Sequence, residues 1–208
     1  MTKIKICGLT RPEDIEVVNS VKPDYVGFVF ADESKRMVTA SQAEILKAKL
    51  SPAILSVGVF VNDPIEFIVG LVEEKIIDLI QLHGAEDEVY MRKLREAVFV
   101  PIIRAVQIQN PSEAPLKTHQ NPLKNPSKHV DFLLLDSGKG SGKPLVWKKV
   151  PRPEQRFFLA GGLNPENVVE AIKVLNPYAV DVSSGVETDG LKDAKKISEF
   201  VRRVRNVK

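Results

Sequence analysis

The sequence predicts a closed (β/α)8 barrel of eight parallel strands, formed as a single domain over residues 1–208, and three observations predict it. Eight short runs rich in Val, Ile and Phe recur along the chain. They begin roughly 20 to 30 residues apart, the length of one strand, one helix and two short loops. Several are apolar without interruption, as strands buried on both faces are. The competing architecture, an open doubly wound sheet, has five or six strands and a glycine-rich turn after the first. No G-x-G-x-x-G follows the first run here.

Taken in order, the first run is Ile4 to Cys7, followed by Thr10 with Glu13 three residues on, a capping-box pattern that starts a helix carrying Ile15, Val18 and Val21. The second run is Tyr25 to Phe30 and the third Leu55 to Val61. Asp63, Pro64 and Glu66 then open a helix with Ile65, Ile68, Val69 and Val72 on one face. Leu79 to Leu82 and Val98 to Val106 are the fourth and fifth runs. Between Asn110 and His129 stand Pro111, Pro115, Pro122 and Pro126, which predict a short or distorted helix and exposed loop. That segment is no domain boundary, because the alternation resumes at Val130 to Leu135. Phe157 to Ala160 is the seventh run, and Asn164-Pro165 opens a helix bearing Val168, Ala171, Ile172 and Leu175. After the eighth run, Ala179 to Val182, the positions Ala194, Ile197, Val201 and Val204 predict an amphipathic terminal helix.

Composition narrows the function classes. A chain of 208 residues with 43% hydrophobic and 27% charged side chains can bury a sizeable core, which excludes disorder. The longest apolar runs, such as Ala97 to Ile103, fall far short of the roughly 18 residues a membrane span needs. Met1 to Gly8 alternates apolar and charged residues and resembles no export signal. Cys7 is the single cysteine, and His83, His119 and His129 are the only histidines, so no intrachain disulfide and no Cys/His metal cluster is expected. A reducing, cytoplasmic setting fits. The net charge of +3 is concentrated in residues 192–208, where seven Lys and Arg face only Asp193 and Glu199. Those cations lack interleaved aromatics and suit a helix C-terminus, so they predict a solvated face and no nucleic-acid partner.

In such a barrel the site lies at the C-terminal ends of the strands. The polar candidates there are Cys7, Lys35, Arg36, Asn62, His83, Arg104, Asp136, Gly161, Gly162, Asp181, Ser183, Ser184 and Gly185. The glycine-bearing turns after the seventh and eighth runs predict a phosphate site, since backbone N–H groups can approach an anion where no Cβ intervenes. Gly138 to Lys143 resembles a nucleotide-binding loop, but Pro144 stands where that motif needs Ser or Thr, so an active-site loop is expected instead. Cys7 could act as a base if a positive environment lowers its pKa, and Asp136, ending an apolar run, could hold a proton as the acid.

Several segments together resemble the phosphoribosylanthranilate isomerase family of tryptophan biosynthesis. They are Lys5 to Thr10, Gly27 to Phe30 with Ser34-Lys35-Arg36, Gly58 to Asn62, Gln81 to Gly84, Asp136 with Gly140 to Lys143, Ala160 to Val168 and Asp181 to Glu187. The resemblance implies a (β/α)8 TIM barrel that converts N-(5′-phosphoribosyl)anthranilate to 1-(o-carboxyphenylamino)-1-deoxyribulose 5-phosphate, with no metal or organic cofactor. It implies that Asp136 protonates the ribose ring oxygen and Cys7 thiolate takes the C2 proton. Arg36 would hold the anthranilate carboxylate, His83 line the pocket, Asp181 bind a sugar hydroxyl, and Gly161, Gly162, Ser183, Ser184 and Gly185 hold the phosphate. The chain departs from the family in a short loop after Asp136 and in Val146 before Trp147, where an acidic residue is common. Its partner would be this small phosphosugar alone, bound by a monomer or homodimer. Another phosphosugar isomerase, or a noncatalytic phosphosugar-binding barrel, is the alternative; the related isomerase of histidine biosynthesis carries an aspartate where this chain has Cys7.

Overall fold

Each strand run sends alternate side chains to opposite faces, so eight of them can seal two hydrophobic layers at once. The computed structural model describes residues 1–108, 123, 125–136, 147, 150 and 152–207. It contains the strands β1 (Lys3–Cys7), β2 (Tyr25–Val29), β3 (Leu55–Phe60), β4 (Leu79–Leu82), β5 (Ile102–Gln107), β6 (Phe132–Asp136), β7 (Phe157–Ala160) and β8 (Ala179–Val182). They hydrogen-bond in sequence order, all parallel, and β8 returns to β1 to close the barrel. Helices α1 (Pro12–Val21), α2 (Ala40–Lys49), α3 (Ile65–Glu73) and α4 (Glu88–Ala97) follow the first four strands. Helix α5 (Val168–Leu175) follows β7 and α6 (Ala194–Arg205) completes the ring. Between β8 and α6 lies a small antiparallel ribbon of β9 (Glu187–Thr188) and β10 (Leu191–Lys192).

The two layers are distinct. Ile4, Ile6, Val26, Phe28, Phe60, Ile80 and Leu133 point outward and pack with helix residues such as Ile15, Leu94, Ile172 and Phe200. Tyr25, Val57, Leu79, Ile103, Leu134, Phe158 and Ala179 point inward and fill the barrel. Each of β2 to β8 thus gives this inner layer an apolar side chain. β1 gives Lys5 instead, fully buried and opposite Tyr25 on one side and Asp181 on the other.

β2 and β3 end one residue early and β6 runs from Phe132 instead of Val130, and three further boundaries differ for reasons the side chains show. Helix α1 is capped from within, because the Asp14 carboxylate accepts the Thr10 and Arg11 N–H groups and pairs with the Arg11 guanidinium. Thr10 and Glu13 are therefore not the capping pair. β5 begins at Ile102 rather than Val98: Val98 closes α4 through its N–H to Leu94, Phe99 is fully exposed, and Pro101 has no N–H for a ladder. Asn164 caps a turn, its Oδ1 accepting from the Glu166 and Asn167 N–H groups, and α5 proper starts at Val168. The proline-rich stretch and the glycine-rich 138–143 stretch fall wholly or largely outside the described residues.

The terminal helix forms as expected, though with Phe200 joining Ile197, Val201 and Val204 in the core and Ala194 exposed. On its basic face Arg202 and Arg203 share the single Glu199 carboxylate, so the helix keeps its positive charge. Lys192 departs from the solvated reading altogether: it is buried and bonded to Glu187. Among the described residues no helix is long and apolar enough to cross a membrane.

Candidate active site

The inward parity of the strands carries on past their C-terminal ends and decides which polar groups meet. A cavity of about 430 Å³ opens there. Cys7 enters it from β1, Asp136 from β6 and Asp181 from β8, with Val29, Val59 and Ala160 as apolar wall from β2, β3 and β7. Arg36 and His83 reach it from the loops after β2 and β4, and Gly161, Gly162, Ser183 and Ser184 from the loops after β7 and β8. Lys35 and Asn62 are exposed and do not line it. Arg104 shares the outward parity of Ile102 and Val106, so its side chain leaves the barrel on the helix side. A larger concavity of about 750 Å³ lies at the opposite end of the barrel, near Met1, Arg156 and Tyr178, and holds none of the predicted site residues.

Loops 7 and 8 are shaped by backbone that only small residues tolerate. Gly161 and Gly162 both have positive φ, 88° and 64°, and Asn167 donates its amide to the Gly162 carbonyl to fix the turn. Gly185 does not line the cavity. A Cβ there would sit 1.8 Å from the Leu163 carbonyl oxygen, so its contribution is to let loop 8 pack against loop 7.

Two charge clusters face each other across the pocket. On one side His83 Nε2 lies 3.3 Å from Asp136 Oδ2, while its Nδ1 is 2.9 Å from the Gln81 amide nitrogen. Gln81 is buried, two residues below His83 on the same inward face. With the amide donating, the imidazole carries its hydrogen on Nε2, toward Asp136. On the other side Lys5 Nζ bonds Asp181 Oδ2 at 2.9 Å, and Arg36 grips Glu187 in a bidentate pair, Nε and Nη2 each 2.6 Å from a carboxylate oxygen. Lys192 joins Glu187 from β10 and also donates to Ser183. Burial works to raise Glu187, but the Arg36 and Lys192 cations outweigh it and hold its carboxyl below the ordinary range. Burial pushes the Cys7 thiol up, with the Lys5 and Lys192 charges pulling the other way.

Every residue of the predicted catalytic and substrate-binding set therefore converges on one cavity. Sequence reasoning missed Lys5, Gln81, Glu187 and Lys192. The first two were within reach, because each stands two residues before a chosen site residue on a strand and so shares its face. Glu187 and Lys192 lie past the last barrel strand, in a two-residue-strand ribbon too short to show a periodicity. Among the described residues no group of three or more His, Cys, Asp or Glu is placed to hold a metal ion.

Comparison with known proteins points the same way. Residues 4–203 match the family model described as N-(5′-phosphoribosyl)anthranilate (PRA) isomerase. The isomerase of that name from Endomicrobium trichonymphae is 46% identical, with each chain wholly covered, and that of Thermoanaerobacter pseudethanolicus is 44% identical, again over both full lengths. Among solved structures, phosphoribosyl anthranilate isomerase from Thermotoga maritima aligns with a TM-score of 0.84 at 36% identity, over 99% of both chains. A phosphoribosyl anthranilate isomerase in complex with reduced 1-(o-carboxyphenylamino)-1-deoxyribulose 5-phosphate aligns at 0.80 and 34% identity, over 99% of both.

Proposed function

The chain belongs to the N-(5′-phosphoribosyl)anthranilate isomerase family, and from that premise we propose how its own residues divide the reaction. The enzyme is an isomerase of tryptophan biosynthesis, converting the aminoaldose N-(5′-phosphoribosyl)anthranilate to the aminoketose 1-(o-carboxyphenylamino)-1-deoxyribulose 5-phosphate. C1 is reduced as C2 is oxidised within one molecule, so the chemistry calls only for proton transfers.

Asp136, in its protonated form, gives its proton to the ribose ring oxygen as the C1–O bond breaks, leaving a protonated Schiff base. Cys7, as thiolate, takes the proton from C2, and the electron pair of that C–H bond neutralises the iminium to an enolamine, which tautomerises to the ketone. The observation that carries this assignment is that Cys7 and Asp136 enter one cavity from β1 and β6, on opposite sides of the ring of strands. His83, its Nε2 facing Asp136, orients the acid. Arg36 binds the anthranilate carboxylate, its fork held in place by Glu187. The Gly161-Gly162 turn and the Ser183-Ser184-Gly185 turn take the phosphate, and Asp181 takes a sugar hydroxyl through Oδ1, a buried atom with no hydrogen-bond partner among the described residues. This reading places the activity in a single-domain cytoplasmic protein, monomer or homodimer; the Thermotoga maritima enzyme is described as dimeric.

The direct test follows the loss of phosphoribosylanthranilate fluorescence on addition of purified protein. Turnover without added metal or cofactor is the expected result. Binding of the phosphosugar with no turnover would instead favour a noncatalytic barrel.

A further inference from the structure

We propose that Lys5 is a positioning residue for the base: its ammonium, sealed inside the barrel beneath Cys7 and bonded to Asp181, is the counter-charge that lets the Cys7 sulfur exist as thiolate. The value of this to catalysis rests on the assignment of Cys7 as base.

The argument starts with what a lysine is doing in that layer. Each of the other seven strands gives the barrel interior an apolar side chain, and β1 alone inserts a cation, one with no exposed surface. An isolated buried ammonium is costly, and even a buried ion pair is often no more stabilising than apolar residues of the same volume. Stability therefore gives little reason for Lys5, and its surroundings give a better one. Lys5 and Cys7 are two residues apart on β1, so both face inward, one directly below the other. Asp181 is the register partner of Lys5 on β8, and its Oδ2 accepts a single bond from Nζ. An ammonium carries three donors, and Cys7 is the next side chain on the same inward face of β1, toward the cavity.

Charge balance points in the same direction. The groups facing Cys7 are Lys5 on its own strand, Asp181 from β8, Arg36 from the loop after β2, and Lys192 from β10; Glu187 on β9 is bonded to the last two. Three cations meet two carboxylates, an excess of one positive charge that a thiolate cancels. Asp136 and His83 lie across the cavity and pair with each other. Of the cations, Lys5 acts most strongly on the sulfur, opposing the burial that favours the neutral thiol. Lys5 thus offsets part of what burial does to the sulfur, on the opposite side of the cavity from Asp136.

Cys7 is the only cysteine, so alkylation of the intact protein by iodoacetamide reads its ionisation alone. The rate is followed from pH 6 to 10 for the wild type, Lys5→Met and Asp181→Asn, with circular dichroism confirming each fold. In Lys5→Met the inflection moves up by at least about one unit, and the rate at pH 7 falls by about tenfold or more. In Asp181→Asn it moves down, because the sulfur loses an opposing anion and keeps its cation. If Lys5→Met does not fold with Asp181 left unpaired, the neutral double variant Lys5→Met/Asp181→Asn restores a charge-free pair, and its inflection still lies above that of the wild type. Turnover supplies a second signature: kcat of Lys5→Met falls at pH 7 and recovers as pH rises, with KM little changed. An inflection unmoved in the folded lysine variants overturns the proposal. The base assignment is tested separately, by turnover of Cys7→Ser, so the two readings fail on different measurements.

Discussion

Replacing the Cys7 sulfur by oxygen changes one atom and leaves the shape of the site nearly intact, but a serine hydroxyl scarcely ionises near neutral pH where a thiol with a cation beneath it can. Cys7→Ser is therefore expected to lower kcat by at least ~10²-fold, the usual lower end for loss of a positioned general base. Asp136→Asn, which keeps the size of the side chain and removes its transferable proton, should do the same. Near-normal kcat in either variant would remove that residue from the proton path. Arg36 belongs to a different class, because a carboxylate that it holds in both ground and transition states contributes uniformly to binding. Arg36→Met should raise KM with kcat much less affected. Glu187→Gln should raise KM in the same direction and by less, since it loosens the bidentate hold on the guanidinium without removing it. A fall in kcat alone for Arg36→Met would give that residue a direct chemical role.

The elements that place these residues were legible to the extent that a periodicity governs them. Strand parity fixes Cys7, Asp136 and Asp181 as inward side chains once the runs are aligned, and it equally fixes Lys5 and Gln81, which a search of strand ends alone passes over. It also removes Arg104, which sits one residue out of phase with Ile103 and Ala105. Helix starts were less legible, because Asp14 caps α1 from inside the first turn while the pattern drew attention to Thr10. The ribbon of β9 and β10 was not legible at all: Glu187 and Lys192 meet Arg36 only because the closed barrel brings the loop after β8 beside the loop after β2. In α6 the periodicity named Ile197, Val201 and Val204 and passed over Phe200, yet Phe200 is fully buried in the outer layer. Phe200→Ala should cost about 3–5 kcal/mol, the range for deleting a buried aromatic ring, while changes at exposed Ala194 stay within about ±0.5 kcal/mol. Urea unfolding at constant m would measure both. Equal costs at the two positions would mean that α6 does not pack as described.

At the scale of the whole molecule, closing the barrel brings cations and carboxylates from opposite ends of the sequence into one partly buried network, and this ties stability to pH. Glu187 is the member whose direction is clear: burial opposes its charge, Arg36 and Lys192 outweigh burial, and the folded-state value ends below the 4.5 of the free side chain. A depressed carboxyl contributes stability that is present above the unfolded value and lost as pH falls through the folded one. Glu199, brought down to about 2 by Arg202 and Arg203, shifts in the same sense, but it is exposed and solvent screens its pairs, so it adds little. The wild-type urea midpoint is therefore expected to hold from pH 7 to about 5 and to fall below pH 4.5, as Glu187 takes up its proton. Glu187→Gln should start lower at pH 7, because Arg36 and Lys192 lose their shared anion, and should lose less on acidification. The two curves converge toward low pH. Parallel curves across pH 7 to 3 would place the acid-sensitive step elsewhere, and the Arg36–Glu187–Lys192 bridge would then orient the site without contributing to the stability of the barrel.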